Sequence, residues 1–167
     1  MAERWYPGWG LAVLRVTIGG IFLVHGWYKL FGWGVGEFAG FLAGARFPAA
    51  GDLAWLVTLV EFFGGLMLII GWVTRWAAIP LFVEILTAML AVQFENGFFV
   101  LPPAGVGGYE YNLALLGALG CMILAGGGRL SMDDWFVRRV VVVEAGEGGG
   151  ATPGPARRPA TDRGRDQ

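Results

Sequence analysis

The only histidine and the only lysine of this chain, His25 and Lys29, stand four residues apart inside an apolar run from Leu11 to Phe31. At 1.5 Å per residue, a run of about twenty residues matches a hydrocarbon core about 30 Å thick, so a membrane-crossing helix is expected there. Lipid offers a charge nothing to pair with, so such side chains face other protein or a water-filled cavity. Arg15, Ile18, Phe22, His25 and Lys29 recur at three- and four-residue steps. At about 100° per residue they fall within an arc of about 80°, which this helix should turn inward.

Composition agrees with a membrane chain: 56% of residues are hydrophobic and 15% charged, outside the range of an ordinary soluble domain. A net charge of −1 with scattered arginines leaves no electrostatic footprint for nucleic acid. One cysteine excludes an internal disulfide, a CxxC redox pair and a cysteine-built metal or iron–sulfur site, and one histidine excludes bis-histidine haem ligation within a single chain. No metal and no intrinsic cofactor is therefore expected. Redox work would need a carrier from elsewhere: a quinone, a partner subunit, or other copies in a homo-oligomer. Glu3 and Arg4 balance each other and no small-residue cleavage pattern follows the apolar run, so the segment is expected to stay as the first span.

The pattern predicts an all-α integral membrane four-helix bundle. Residues 1–10 form an N-terminal segment and 11–128 the transmembrane domain, with spans at about 11–31, 53–71, 76–95 and 109–126. Val35, Phe38, Phe41, Leu42 and Ala45 predict a short interfacial helix after the first span, with Glu37 and Arg46 on its wet side. Gly64-Gly65 in the second span favours close helix packing, and Pro80 is placed near the first turn of the third. Ser131 followed by Asp134 is a capping pattern that opens a juxtamembrane helix over 129–144, although Val140 to Val143 makes a strand the local competitor. Residues 145–167 read as a disordered tail. Four spans put both termini on one side. The arginine excess at Arg4, Arg75, Arg129, Arg138 and Arg139 assigns that side to the cytoplasm.

Counting 1.5 Å per residue from each span end places Arg15 about 6 Å and Glu84 about 11 Å above one boundary, with His25 and Glu61 at about 21 and 18 Å. Lys29 and Glu110 come near the far boundary. Depth alone therefore pairs Arg15 with Glu84, His25 with Glu61, and Lys29 with Glu110. One reading makes these pairs structural glue, and for Arg15, near enough to the boundary to snorkel, that reading leads. The other makes His25 and Glu61 a proton-handling site, since histidine titrates near neutral pH. Cys121 reads as a small packing residue. The eight tryptophans mostly mark span ends, as an aromatic belt does. A metal at His25, Glu61 and Glu84 is disfavoured by the depth offset of the last.

Several motifs run together across about Leu11 to Asp133: Leu14-Arg-Val, His25-Gly-Trp-Tyr-Lys-Leu, Glu61-Phe-Phe-Gly-Gly-Leu, Gly71-Trp-Val-Thr-Arg75, Asn96-Gly-Phe-Phe, Gly108-Tyr-Glu-Tyr and Gly126-Gly-Gly-Arg-Leu-Ser-Met-Asp133. In this order they resemble the DoxX family of small four-helix bacterial membrane proteins. The glycine pair before Arg129 replaces a Gly-Pro common in such proteins. The resemblance implies a bacterial inner-membrane component tied to redox chemistry, since some relatives are linked to quinone reduction and sulfur-compound oxidation and others to thiol or oxidative-stress systems. It places any inherited site at Arg15, His25, Lys29, Glu61, Arg75, Glu110 and Arg129. Glu84 comes from depth and periodicity only.

The first expectation is an accessory subunit of an oxidoreductase complex, without its own redox centre, in which His25 and Glu61 act on a quinone and Arg15, Lys29, Glu84 and Glu110 form the surrounding charge network. Its partners would be membrane lipid and soluble or membrane redox proteins. Two alternatives stay open. One is an oligomeric transporter of a small solute or of protons, and the other a scaffold that recruits soluble redox enzymes.

Overall fold

A computed structural model describes residues 7–100, 107–128 and 130–135. The expectations for the 145–167 tail, for the juxtamembrane helix beyond Trp135 with its competing strand, and for Arg4, Arg129, Arg138 and Arg139 lie outside the described residues. Within them every regular element is helical and no strand occurs. The order is α1 (Pro7–Phe31), α2 (Val35–Gly44), α3 (Ala50–Ile70), α4 (Thr74–Ala88) and α5 (Glu110–Ala125). α4 runs on through a π-helical turn, Met89–Gln93, and a short 3₁₀ turn, Phe94–Asn96.

Among the described residues three helices are long and apolar enough to cross a membrane: Gly8–Phe31, Ala50–Ile70 and Thr74–Asn96. α5 is apolar but has 16 residues, about 24 Å at the α-helical rise. The tryptophans at 9, 27, 33, 55, 72, 76 and 135 are all exposed, and all lie near helix ends or turns.

α1 and α3 make the most extensive contact, and α4 packs chiefly on α5. Glycines set the α1–α3 distance. A Cβ on Gly26 would come 2.5 Å from the Phe62 amide nitrogen, and one on Gly65 would come 2.5 Å from that of Leu23. The two backbones thus touch, which is how helices gain dispersion energy where lipid gives no hydrophobic drive. Between the two helix pairs lies a dry layer of Ile18, Phe22, Leu68, Leu81, Leu119 and Met122. A second cluster seats α2: Val35, Phe38 and Leu42, one face at three- and four-residue spacing, bury against Ala54 of α3. Glu37 and Arg46 stay exposed.

Pro80 lies in the second turn of α4, not the first, because the helix begins at Thr74. Trp76 therefore loses its i+4 amide donor.

Candidate functional site

Lys29 of α1 reaches Glu61 of α3, with Nζ 2.6 Å from Oε2 and side chains only 12% and 5% exposed. The ammonium also sits 4.1 Å from the centroid of the Phe38 ring on α2, within cation–π range. From α4, the Glu84 carboxyl lies against that of Glu61 and inside the field of Lys29. Its Oε2 is buried and has no hydrogen-bond partner. Three helices thus bring an ammonium and two carboxyls to one level.

The cluster opens onto a cavity of about 550 Å³ lined by residues from α1 to α5 and the π turn. Most of the wall is apolar, with Phe22, Phe38, Phe41, Phe47 and Tyr111 among its rings. The polar lining is His25, Lys29, Glu61, Glu84, Thr87, Gln93 and Asn112. At the end near the π-helical turn, Asn112 Nδ2 donates to Gln93 Oε1 at 2.9 Å, and Asn112 is almost fully buried. This amide pair was not among the sequence candidates. Two amides inside apolar helices were its available signal. A π turn, which shifts the register of the side chains after it, commonly accompanies a functional site.

All three depth-matched pairings are corrected by these contacts. Lys29 joins Glu61 and not Glu110, because side chains on a helix lean toward its N-terminus. α1 and α3 run antiparallel, so Lys29 leans down the bundle while Glu61 leans up to meet it. His25 does not reach Glu61: it lies at the edge of the α1 stripe, is exposed, and its Nδ1 is 2.8 Å from the Ile21 carbonyl oxygen. That oxygen only accepts, so Nδ1 carries a proton in this contact and Nε2 is the nitrogen left for a ligand or water. Glu110 instead opens α5, its backbone amide donating to the Phe98 carbonyl at 3.0 Å. Among the described residues no three metal-ligating side chains converge, so His25, Glu61 and Glu84 do not assemble as a metal site.

Arg15 serves the opposite end of the bundle. Its side chain also leans toward the α1 N-terminus, away from Glu84, and Nη2 donates to the Leu130 carbonyl at 2.9 Å while Asp133 acts on it electrostatically. The residue is 3% exposed, with Nε and Nη1 buried and unpartnered. Asp133 in turn accepts the amides of Val73 and Thr74 at 2.7 and 3.0 Å, capping α4 where no side chain of the preceding turn does so. Ser131 Oγ accepts the Asp134 amide at 3.1 Å, so the capping pattern read at 131–134 forms. Gly71 closes α3 at φ +71°, and a Cβ there would fall on the Arg15 guanidinium. A cleft of about 430 Å³ beside this clasp is lined by Thr74, Arg75 and Gly126 to Gly128. Cys121 is exposed on α5.

The DoxX family model matches residues 10–94, slightly more than half of the chain, from the second turn of α1 through the end of α4. The chain belongs to the DoxX family. With its three spanning-length apolar helices, this DoxX chain is a membrane protein. It is also 29% identical to an uncharacterized protein of Haemophilus influenzae over 146 residues, covering 82% of this chain and 97% of that protein. No solved structure matches it. The DoxX match includes Lys29, Glu61 and Glu84 but ends before Asn112, so the α5 wall of the cavity lies beyond it.

Proposed function

We propose that this DoxX protein is an accessory membrane subunit that holds the head group of a lipid-soluble quinone in the bundle cavity and presents it to a redox partner. One observation carries the reading: a buried, unpartnered Glu84 oxygen beside the Lys29–Glu61 pair, inside a mainly apolar cavity of about 550 Å³. Apolar pockets of such a size with a few convergent polar groups are the usual form of a small-molecule site.

When bound, a quinone supplies two-electron chemistry that the chain's own side chains lack, with electrons exchanged with a separate dehydrogenase subunit. Lys29 keeps N–H donors beyond the one given to Glu61, and these can bind a carbonyl oxygen. Glu61 orients that ammonium. Glu84, in contact with Glu61, holds or passes the proton at the ligand oxygen. His25 at the cavity lining offers Nε2 as the next proton carrier toward water. The aromatic wall takes the ring and excludes solvent. In this reading α5 is the fourth span, α2 lies at the membrane interface, and the protein sits in a bacterial inner membrane with both termini cytoplasmic, as the arginines of the α3–α4 turn end suggest.

The test is the lipid extract of the detergent-purified protein, parent against Glu84→Gln at matched thermal stability. Quinone should be retained near one per chain by the parent and lost by the variant. Quinone absent from a stable parent, or retained equally by both, would overturn the reading.

A further inference from the structure

We propose that the same cavity is also a receptor site for lipophilic organic cations, with the Glu84 carboxyl as counter-ion and the aromatic wall as the surface on which the cation rests. This does not depend on the quinone reading, because a neutral dione and a cation are told apart by charge.

The argument begins with charge. Glu61 contacts both Lys29 and Glu84, so the cluster sums to −1 with all three ionised and to zero when the two carboxyls share one proton. Among the described residues no arginine lines the cavity. His25 from α1 and Tyr111 from α5 are the other titratable groups on the wall, and His25 is engaged with the Ile21 carbonyl. The cluster is therefore completed by one further positive charge, either that proton or a cation that takes its place as the proton leaves. Low-dielectric surroundings make that completion strongly favourable, since an uncompensated charge there is expensive.

The wall decides which kind of cation fits. A small hard ion such as sodium needs a shell of oxygens. Beyond the two carboxyls, the oxygens of this wall belong to Thr87, Gln93, Asn112 and Tyr111, with Thr87 bonded to the Val83 carbonyl and Asn112 Nδ2 to Gln93 Oε1. Aliphatic side chains and the rings of Phe22, Phe38, Phe41, Phe47 and Tyr111 make up the rest of the wall, and rings attract cations whose charge is spread and whose hydration is weak. The protein already uses this chemistry, since the Lys29 ammonium rests over Phe38 at 4.1 Å. Lys29 has spent its ion pair on Glu61 Oε2 at 2.6 Å, whereas Glu84 Oε2 is buried with no partner. A cavity of about 550 Å³ accommodates a bulky cation of the size of a substituted ammonium or phosphonium dye.

The experiment compares tetraphenylphosphonium with tetraphenylborate, its anionic isostere, by calorimetry on the purified full chain, with empty micelles subtracted. Tetraphenylphosphonium should bind saturably at one per chain and at least about tenfold more tightly than the borate, a preference that Glu84→Gln should remove without lowering the melting temperature. Equal binding of the two isosteres, or binding of neither, overturns the proposal, and it does so on the parent protein even if the variant fails to fold. Quinone content is read in the same samples. Quinone without a cation preference removes this site and leaves the quinone reading. A cation preference without quinone does the reverse.

Discussion

The two ends of the bundle use similar charged residues in opposite ways. At the α3–α4 turn end, Arg15 and Asp133 bond to the chain's own backbone: Arg15 Nη2 donates to the Leu130 carbonyl, with Nε and Nη1 left unpartnered, and Asp133 caps α4. In the far half, Lys29, Glu61 and Glu84 face a cavity and leave a carboxyl oxygen unpartnered. A buried charge tied to backbone fixes where segments meet, while a buried charge facing open space is a standing demand for a ligand. Position along one helix stripe, not residue type, separates glue from site.

Substitution at each end should break this contrast or sharpen it. Arg15→Leu carries the largest expected effect on stability, about 3 kcal/mol, because it strips the last segment of its anchor while leaving the cavity residues in place. Thermal unfolding in detergent checks the loss, and a variant as stable as the parent would show that the clasp is ornamental. Lys29→Met should destabilise by nearly as much, about 2–3 kcal/mol, since Glu61 is left buried beside a second carboxyl. Adding Glu61→Gln to it should restore most of that loss, giving a coupling above about 1 kcal/mol in a double-mutant cycle. Simple additivity would mean the pair contributes nothing. His25→Ala carries the smallest effect: the melting temperature should stay unchanged, because the ring is exposed and bonded only within its own helix. If proton passage uses Nε2, the same variant should slow quinone-linked turnover while leaving quinone content intact.

Much of this was legible in the sequence. The inward stripe of α1 holds through Arg15, Ile18 and Phe22, which are buried as the 3.6-residue period requires. Glu84, named from depth and periodicity, does enter the polar cluster. The partners were not legible, for a physical reason. Counting rise places backbones, yet long side chains on antiparallel helices lean toward each helix's own N-terminus, so Lys29 and Arg15 both act below the level of their Cα atoms. His25 missed Glu61 because it lies at the exposed edge of the arc and its ring turns back to the Ile21 carbonyl of its own helix. The Gln93–Asn112 pair needed knowledge of the π turn, which no local propensity announces.

The Arg15 clasp has a consequence for the order of biogenesis. Lys29 must wait 32 residues for Glu61, but Arg15 must wait 115 residues for the Leu130 carbonyl. The first helix to enter the membrane therefore gains this bond only after α2 to α5 have been synthesised, and until then its guanidinium must find water or head groups by snorkelling.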